Sequence, residues 1–239
     1  MVIFYKIVNM GSVEENIRNI WSRIEKAAEK TGRDKEDIKL VAVTKTVEVE
    51  RIKEAIKCGI ETIGENRVQE AESKFVQITE KVEKHLIGHL QTNKAKKAVE
   101  LFDFIQSVDS QHIAQEISRR AFQMGKAMEV LVEINTSGEK SKFGVDPDQA
   151  LSFVKLILNS EGIKIKGLMT IGLFSDNSED TRPCFKKLKA IFDQMKRESL
   201  PNVEMKYLSM GMTNDFEIAI QEGSNMVRIG TGIFGPRSL

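Results

Sequence analysis

Three things are scarce in this sequence: cysteine, net charge and long apolar runs. The 239 residues include only two cysteines, Cys58 and Cys184, which lie far apart and lack metal-site spacing. So few cysteines in a chain of this length are typical of free thiols in a reducing compartment, and we expect a cytoplasmic protein. Acidic and basic residues nearly cancel to a net charge of +1 without a long basic run, so nucleic acid is not expected as a partner.

The apolar segments are also too short to cross a membrane. The N-terminal segment MVIFYKIVN is apolar, but a spanning helix needs about 20 such residues, and the segment lacks a signal-peptide cleavage site. We interpret residues 1–11 as an N-terminal extension, and translation could start at Met1 or Met10. No linker, low-complexity tract or change in composition divides the rest, so residues 12–239 are expected to form one domain.

What the sequence does contain is a regular alternation of helix and strand patterns. The first helix pattern, residues 13–30, begins at a capping box formed by Ser12 and Glu15. Eight short apolar segments then predict strands, and each of them except the last is followed by a helical pattern. The predicted strands are residues 38–45, 60–65, 84–91, 104–109, 128–135, 163–171, 203–209 and 225–229.

The alternation predicts an α/β fold, a single (β/α)8 TIM barrel, for which about 250 residues is typical. Because no helical pattern follows the eighth strand, we expect the N-terminal helix to stand in for the missing last helix. An open doubly wound sheet is the alternative fold. It is disfavoured because no glycine-rich fingerprint loop follows the first strand.

Lys45 stands at the carboxyl end of the first predicted strand. Active sites of such barrels lie at the carboxyl ends of the strands, and a lysine held there away from water suits Schiff-base chemistry. A lysine that simply extends into solvent is the alternative interpretation. Lys140 and Lys142 are weaker candidates, because they lie in a polar loop where solvation keeps an amine protonated.

Residue types that bind phosphate follow the seventh and eighth strands. They are Ser209, Gly211, Arg228, Gly230 and Thr231. Glycines let backbone N–H groups approach an anion, hydroxyls add donors, and arginine supplies a fixed charge, although the glycines could also serve only a tight turn. Because strand 8 neighbours strand 1 in a closed barrel, a ligand with both an aldehyde and a phosphate would bridge Lys45 and these turns. Pyridoxal 5′-phosphate (PLP) is such a ligand.

Eight segments, in the same order, resemble the pyridoxal phosphate homeostasis protein family, small relatives of the alanine racemase barrel. The segments are VAVTK (41–45), IGENRVQE (63–70), HLIGHLQTNK (85–94), SVDS (107–110), SGEKSKFG (137–144), KGLMTIG (166–172), LSMGMTND (208–215) and VRIGTGIFG (227–235). They cover nearly the whole chain after residue 12. Two departures are Thr44, where the family usually has serine, and the residues before Ser12, which have no counterpart.

The resemblance implies that Lys45 holds PLP as a reversible aldimine and that Asn66 lies beside the ring. It implies that the phosphate region is held by Ser209, Gly211, Arg228, Gly230 and Thr231. Arg228, Glu133 and Asp109 all stay open as the group that meets the pyridine nitrogen. No metal is expected, since the three histidines lack zinc-site patterns. His85 and His89 are predicted to share one face of the third strand.

The resemblance further implies a carrier that takes part in intracellular PLP homeostasis, with apo-PLP enzymes as possible recipients. A PLP-dependent amino-acid racemase of low activity is the alternative. A racemase of this fold needs a second base, which in alanine racemases is a tyrosine from a C-terminal domain. This chain stops soon after strand 8, and of its tyrosines, Tyr5 and Tyr207, the second is expected deep in the barrel. We expect a monomer without a membrane partner.

Overall fold

The computed structural model describes residues 11–175 and 177–236. Eight parallel strands close into a barrel in sequence order, with β8 hydrogen-bonded to β1. The strands are β1 Lys39–Val43, β2 Thr62–Glu65, β3 Glu83–Leu86, β4 Phe104–Val108, β5 Met128–Glu133, β6 Ile163–Met169, β7 Val203–Ser209 and β8 Met226–Ile229. The predicted (β/α)8 barrel is confirmed, and the doubly wound sheet is excluded. The predicted extension, except Gly11, lies outside the described residues.

Helices surround the barrel. They are α1 Val13–Glu29, α2 Val49–Lys57, α3 Val68–Phe75, α4 Ala95–Leu101, α5 Gln111–Gln123, α6 Ala150–Ile157, α7 Arg182–Glu198, α8 Phe216–Gln221 and α9 Thr231–Phe234. Among the described residues, no helix is long and apolar enough to cross a membrane.

Helix α1 closes the side of the barrel next to β8, as predicted. Its capping box is present, with Glu15 N–H donating to Ser12 Oγ and Ser12 N–H donating to Glu15 Oε2. Asn16 Nδ2 also donates to Ile233 O in α9 at 2.9 Å. The expectation that no helix follows strand 8 needs one correction, because α9 is a single helical turn there. One turn is too short to cover the barrel wall, and α1 therefore packs against α2, α8 and α9.

The third strand is much shorter than predicted. It ends at Leu86, and at Gly88 a Cβ atom would lie 2.4 Å from the carbonyl oxygen of Asn66, so this segment packs backbone to backbone against the loop after β2. His89 therefore lies in a loop. The prediction that it shares a strand face with His85 was wrong.

The barrel interior has an apolar layer and a polar layer. Apolar side chains form one layer, namely Val41, Phe104, Leu131, Met169 and Met226, with Tyr207 packed against them. Tyr207 lies edge-on to Phe104 with 5.9 Å between ring centroids, which confirms the prediction that it lies deep in the barrel. Because side chains alternate along a strand, the next inward positions toward the carboxyl ends are Gln106, Glu133, Ser209 and Arg228. A buried polar layer therefore separates the apolar layer from the mouth.

Candidate cofactor site

Lys45 lies in the turn after β1, at the carboxyl-terminal mouth of the barrel. Strand β1 ends at Val43, and the alternation of side chains puts Lys45 on the same inward face. Lys45 is partly buried and borders two cavities of about 240 Å³ and about 290 Å³. Gly230 and Thr231 line both cavities as well. The closure of β8 onto β1 therefore brings Lys45 beside the turn after β8.

Arg228 and Ser209 are bonded to each other in the polar layer. Arg228 is 4% exposed, and its Nη1 donates to Ser209 Oγ at 2.5 Å while Nη2 donates to Thr170 O at 2.7 Å. The Ser209 hydroxyl in turn donates to Gln106 Oε1 at 2.6 Å, and Gln106 Nε2 lies 2.7 Å from His85 Nδ1. Burial lowers the pKa of His85 despite the opposing effect of Glu83, so the neutral ring can accept at Nδ1. The side-chain hydrogen bonds of Arg228 and Ser209, which were both predicted to bind phosphate, are therefore made to other groups inside the barrel.

The turns after β7 and β8 form one wall of the 240 Å³ cavity. Gly211 has a φ of +96°, and a Cβ atom there would lie 2.6 Å from Ala219 Cβ, so the turn packs closely against α8. Thr231 Oγ1 donates to Thr213 Oγ1 at 3.2 Å, and Thr213 Oγ1 also accepts from Gly232 N–H at 3.2 Å. The hydroxyls and backbone of both turns thus meet at the mouth. This is the donor chemistry that a phosphate group requires.

Asn66 is not brought into either cavity that Lys45 borders. It follows β2 and lines a neighbouring cavity of about 530 Å³, together with Arg67, Gly88, His89 and Lys94. The structure therefore groups four of the predicted residues around the Lys45 cavities, namely Lys45, Arg228, Gly230 and Thr231. It places Asn66 on the adjacent sector of the same mouth.

Two buried acids accompany Arg228. Burial lowers the pKa of Arg228 to about 10, while Glu133 and Asp215 oppose that change. Burial and the charge of Asp109 raise the pKa of Glu133 to about 7, against the attraction of Arg228. Burial also raises the pKa of Asp215, whose Oδ1 accepts the Met212 N–H at 2.6 Å. The site therefore mixes both signs of charge, and Glu133 can gain or lose a proton near neutral pH.

The loop lysines differ from each other. Lys140 is exposed, as expected for a solvated lysine. Lys142 is paired with Glu139 and donates to Gly172 O at 3.0 Å, which ties the loop after β5 to the loop after β6. The expectation that Lys142 is simply solvated was therefore wrong, because its amine is held between two loops.

His89 belongs to the rim of the mouth. Its Nδ1 lies 2.9 Å from Asp109 Oδ2, and its ring stacks on Phe143 with 3.7 Å between centroids. Within the described part of the chain, no three His, Cys, Asp or Glu side chains group in a way that could hold a metal ion.

Sequence reasoning missed three residues of this site: Gln106, Thr213 and Asp215. Gln106 is a fully buried amide in β4, a strand whose five residues are all buried, and a long polar side chain in such a strand could have been taken as a signal. Thr213 and Asp215 lie within the quoted segment LSMGMTND, yet their type alone does not reveal that both border the Lys45 cavity.

Known proteins resemble this chain over nearly its whole length. A profile of the family described as alanine racemase, N-terminal domain, matches residues 8–238. The pyridoxal phosphate homeostasis protein of Aquifex aeolicus is 42% identical over 224 residues, 93% of this chain and 97% of that protein. Its counterpart in Pasteurella multocida is 39% identical over 229 residues, 95% of this chain and 98% of that protein. The structure of PipY from Synechococcus elongatus with PLP bound has a TM-score of 0.82 and 30% identity, covering 93% of this chain and 100% of that one. Fold and sequence thus agree that the chain belongs to the alanine racemase N-terminal domain family and, within it, to the pyridoxal phosphate homeostasis proteins.

Proposed function

We propose that this protein binds PLP at the carboxyl-terminal mouth of the barrel and takes part in intracellular PLP homeostasis as a carrier. The observation that carries the proposal is the position of Lys45 beside the turns after β7 and β8, in cavities that it shares with Gly230 and Thr231. PipY, a relative of similar length, has PLP bound in its solved structure, which supports the same cofactor for this chain.

The residues present fit this cofactor. When bound, PLP supplies an electrophilic aldehyde carbon and an electron-withdrawing ring. Lys45 Nζ would bond to that carbon, and the aldehyde oxygen would leave as one molecule of water. The Thr213 and Thr231 hydroxyls and the backbone at Gly230, all of which line the 240 Å³ cavity, would hold the phosphate. Gly211, which packs against α8, would shape the turn that carries Thr213.

The polar layer would support the ring end of the cofactor. Arg228 supplies a buried positive charge, and Ser209 and Gln106 fix the direction of its guanidinium. Asp109 is already engaged by His89, so Arg228 and Glu133 are the stronger candidates for the pyridine nitrogen. Asn66 stays a candidate for the side of the ring, approached from its neighbouring cavity.

Carrier function is favoured over racemisation by the position of Tyr207. A racemase needs two bases on opposite faces of the substrate carbon, one of them opposite the lysine. Tyr207 packs with Phe104 in the apolar layer and borders the cavity at the amino-terminal end of the barrel, together with Ile38 and Lys39. It is separated from Lys45 by the polar layer. Tyr5, the other tyrosine, lies outside the described residues.

The proposal extends to partners and location. Apo-PLP enzymes are the recipients expected of a carrier, and the protein is expected to act as a monomer in the cytoplasm. Transfer to a recipient is tested by mixing the loaded protein with an apo-PLP enzyme and following the recovery of its activity, beside an equal amount of free PLP.

The experiment that tests cofactor binding is absorbance spectroscopy of the purified protein with added PLP, before and after borohydride. We expect a visible band in the wild type that borohydride abolishes, and a reduced adduct that peptide mass spectrometry locates on Lys45. Lys45→Ala should lack the band. Lys140→Ala, which removes an exposed loop lysine, should keep it.

Two outcomes would contradict the proposal. If the wild type shows no band, the protein does not bind PLP as an adduct of a lysine. If an adduct persists in Lys45→Ala, a residue other than Lys45 holds the cofactor. Interconversion of alanine enantiomers by the loaded wild type, lost in Lys45→Ala, would instead establish the racemase alternative.

A further inference from the structure

The turn that carries Lys45 is held by an ion cluster that does not line the Lys45 cavities. The cluster consists of Glu65 at the end of β2 and Glu70 and Lys74 in α3, and we refer to it as the Lys74 cluster. We propose that the Lys74 cluster positions Lys45 for covalent reaction with an aldehyde. This inference rests on the proposed function, because it assumes that Lys45 is the anchor.

One contact fixes the residue after Lys45. Thr46 has a φ of +60°, in the left-handed region that β-branched residues avoid at a cost of roughly 1–2 kcal/mol. The Thr46 N–H donates to Glu70 Oε1 at 2.5 Å. Because the backbone is strained there, a directed contact is needed to keep the turn in this conformation.

Other contacts fix the residue before Lys45. Thr44 is completely buried, and its N–H and Oγ1 donate to Gly64 O at 2.9 Å and 3.2 Å. Thr44 Oγ1 also lies 2.8 Å from Glu65 Oε1. The Thr44 carbonyl oxygen accepts from Lys74 Nζ at 2.7 Å. Both neighbours of Lys45 are thus attached to the same cluster.

Lys74 connects the parts of the cluster. Besides the Thr44 carbonyl, its Nζ donates to Glu65 Oε1 at 2.9 Å and to Glu70 Oε1 at 2.6 Å, and its side chain is only 11% exposed. Burial raises the pKa of Glu65, and Lys74 opposes this change. Burial would also raise the pKa of Glu70, but Lys74 and the Thr46 N–H outweigh it and lower that pKa. Removing Lys74 would therefore leave two acids without their shared partner, and the turn would lose its support on both sides.

If the Lys74 cluster positions Lys45, its loss should affect the covalent reaction of Lys45 but not the non-covalent binding of the ligand. The cluster residues do not line either of the cavities that Lys45 borders, so they would not hold the phosphate or the ring. Displacement of a reacting group by about 1 Å can reduce a rate by up to ~10²-fold. Loss of the cluster should therefore slow the reaction of Lys45 while leaving the affinity of an analogue without an aldehyde almost unchanged.

The test compares Lys74→Met with Lys74→Arg and the wild type. Two probes are used: PLP, for the rate at which the covalent band forms on rapid mixing, and pyridoxine 5′-phosphate, which has an alcohol in place of the aldehyde. We expect Lys74→Met to form the band at least about tenfold more slowly, with pyridoxine phosphate affinity within about threefold of wild type. Lys74→Arg should recover most of the rate, because a guanidinium can donate to the same oxygens.

Lys97→Met is the matched control. It removes a lysine that pairs with Glu72 at 3.0 Å and Glu100 at 3.2 Å on the outer surface. Its rate should equal that of the wild type. If Lys74→Met does not fold, as judged by circular dichroism, Glu70→Ala is compared with Glu72→Ala. Glu70→Ala removes the acceptor of the Thr46 N–H and one of the three acceptors of Lys74, while the bonds from Lys74 to the Thr44 carbonyl and to Glu65 remain. We then expect a slower reaction in Glu70→Ala alone.

Each other outcome overturns the inference in a recognisable way. A wild-type rate in Lys74→Met, or in Glu70→Ala where that variant replaces it, shows that the cluster does not position Lys45. A parallel loss of pyridoxine phosphate affinity shows a general structural role instead. If the wild type forms no adduct on Lys45, the proposed function is refuted, and this inference is refuted with it. Failure of the proposed function is thus distinguished from failure of the positioning role.

Discussion

Replacement of Glu133 by glutamine tests the electrostatics of the polar layer. Glu133 is 4% exposed, and its pKa lies at about 7 instead of the ordinary 4.5. Burial is the largest cause of this change, and the negative charge of Asp109 adds to it. Glutamine has nearly the same shape and cannot ionise, so the substitution removes the titration with little change in packing.

The sign of the effect follows from proton binding. Between the ordinary pKa and the raised one, the folded protein keeps the Glu133 proton that the unfolded chain has lost. Stability therefore falls as pH rises through this window and is constant above it. A pKa raised from 4.5 to about 7 corresponds to a cost of roughly 3 kcal/mol once Glu133 is fully ionised. Glu133→Gln should not show this loss of stability, because glutamine does not ionise.

Urea unfolding of the cofactor-free protein measures the difference. From about pH 5 to about pH 8, the unfolding free energy of Glu133→Gln should rise relative to wild type by roughly 2–3 kcal/mol. Glu129→Gln, at the partly exposed amino-terminal end of the same strand, should show no such change. Asp109→Asn should reduce the pH dependence of the otherwise wild-type protein, because the charge that helps to raise the Glu133 pKa is gone.

The reasoning is refuted if wild type and Glu133→Gln show the same pH dependence. It is also refuted if Glu133→Gln is the less stable protein at about pH 8, since Glu133 would then stabilise the fold as an ionised partner of Arg228.

Three further predictions follow from the site and the sequence. Arg228→Gln should weaken PLP retention about tenfold in equilibrium dialysis, because the proposed charge-assisted contact between Arg228 and the ring end of PLP is lost. Equal affinity in the variant and the wild type would contradict that contact. Gly211→Ala should lower the unfolding free energy by about 1–3 kcal/mol, since its Cβ would lie 2.6 Å from Ala219 Cβ. Gly125→Ala is the control: Gly125 has a φ of +63° with open space around it, so this variant measures the cost of the positive φ without a steric clash. Removal of residues 1–9 should leave PLP affinity unchanged, and a large loss would show that the extension packs on the barrel.

Local signals in the sequence were sufficient for the order of the elements. The capping box at Ser12 and Glu15 marks the start of α1, and Asp146 with Pro147 marks the start of the helical segment before β6. The apolar strands and their regular alternation with helices led to the barrel. Barrel closure then put Lys45 beside the end of β8, because a closed sheet makes its first and last strands neighbours.

Tertiary structure alone decided what surrounds Lys45. The hydrogen bond from Ser209 to Gln106 joins residues 103 positions apart, and that from Arg228 to Thr170 joins residues 58 apart. No local pattern specifies such pairs, because they depend on which side chains meet across the barrel. The same holds for Asn66, which lines a cavity different from those of Lys45. Periodicity and capping act within a few residues and are therefore readable in the sequence, whereas burial, pKa and cavity shape arise only when distant strands are brought together.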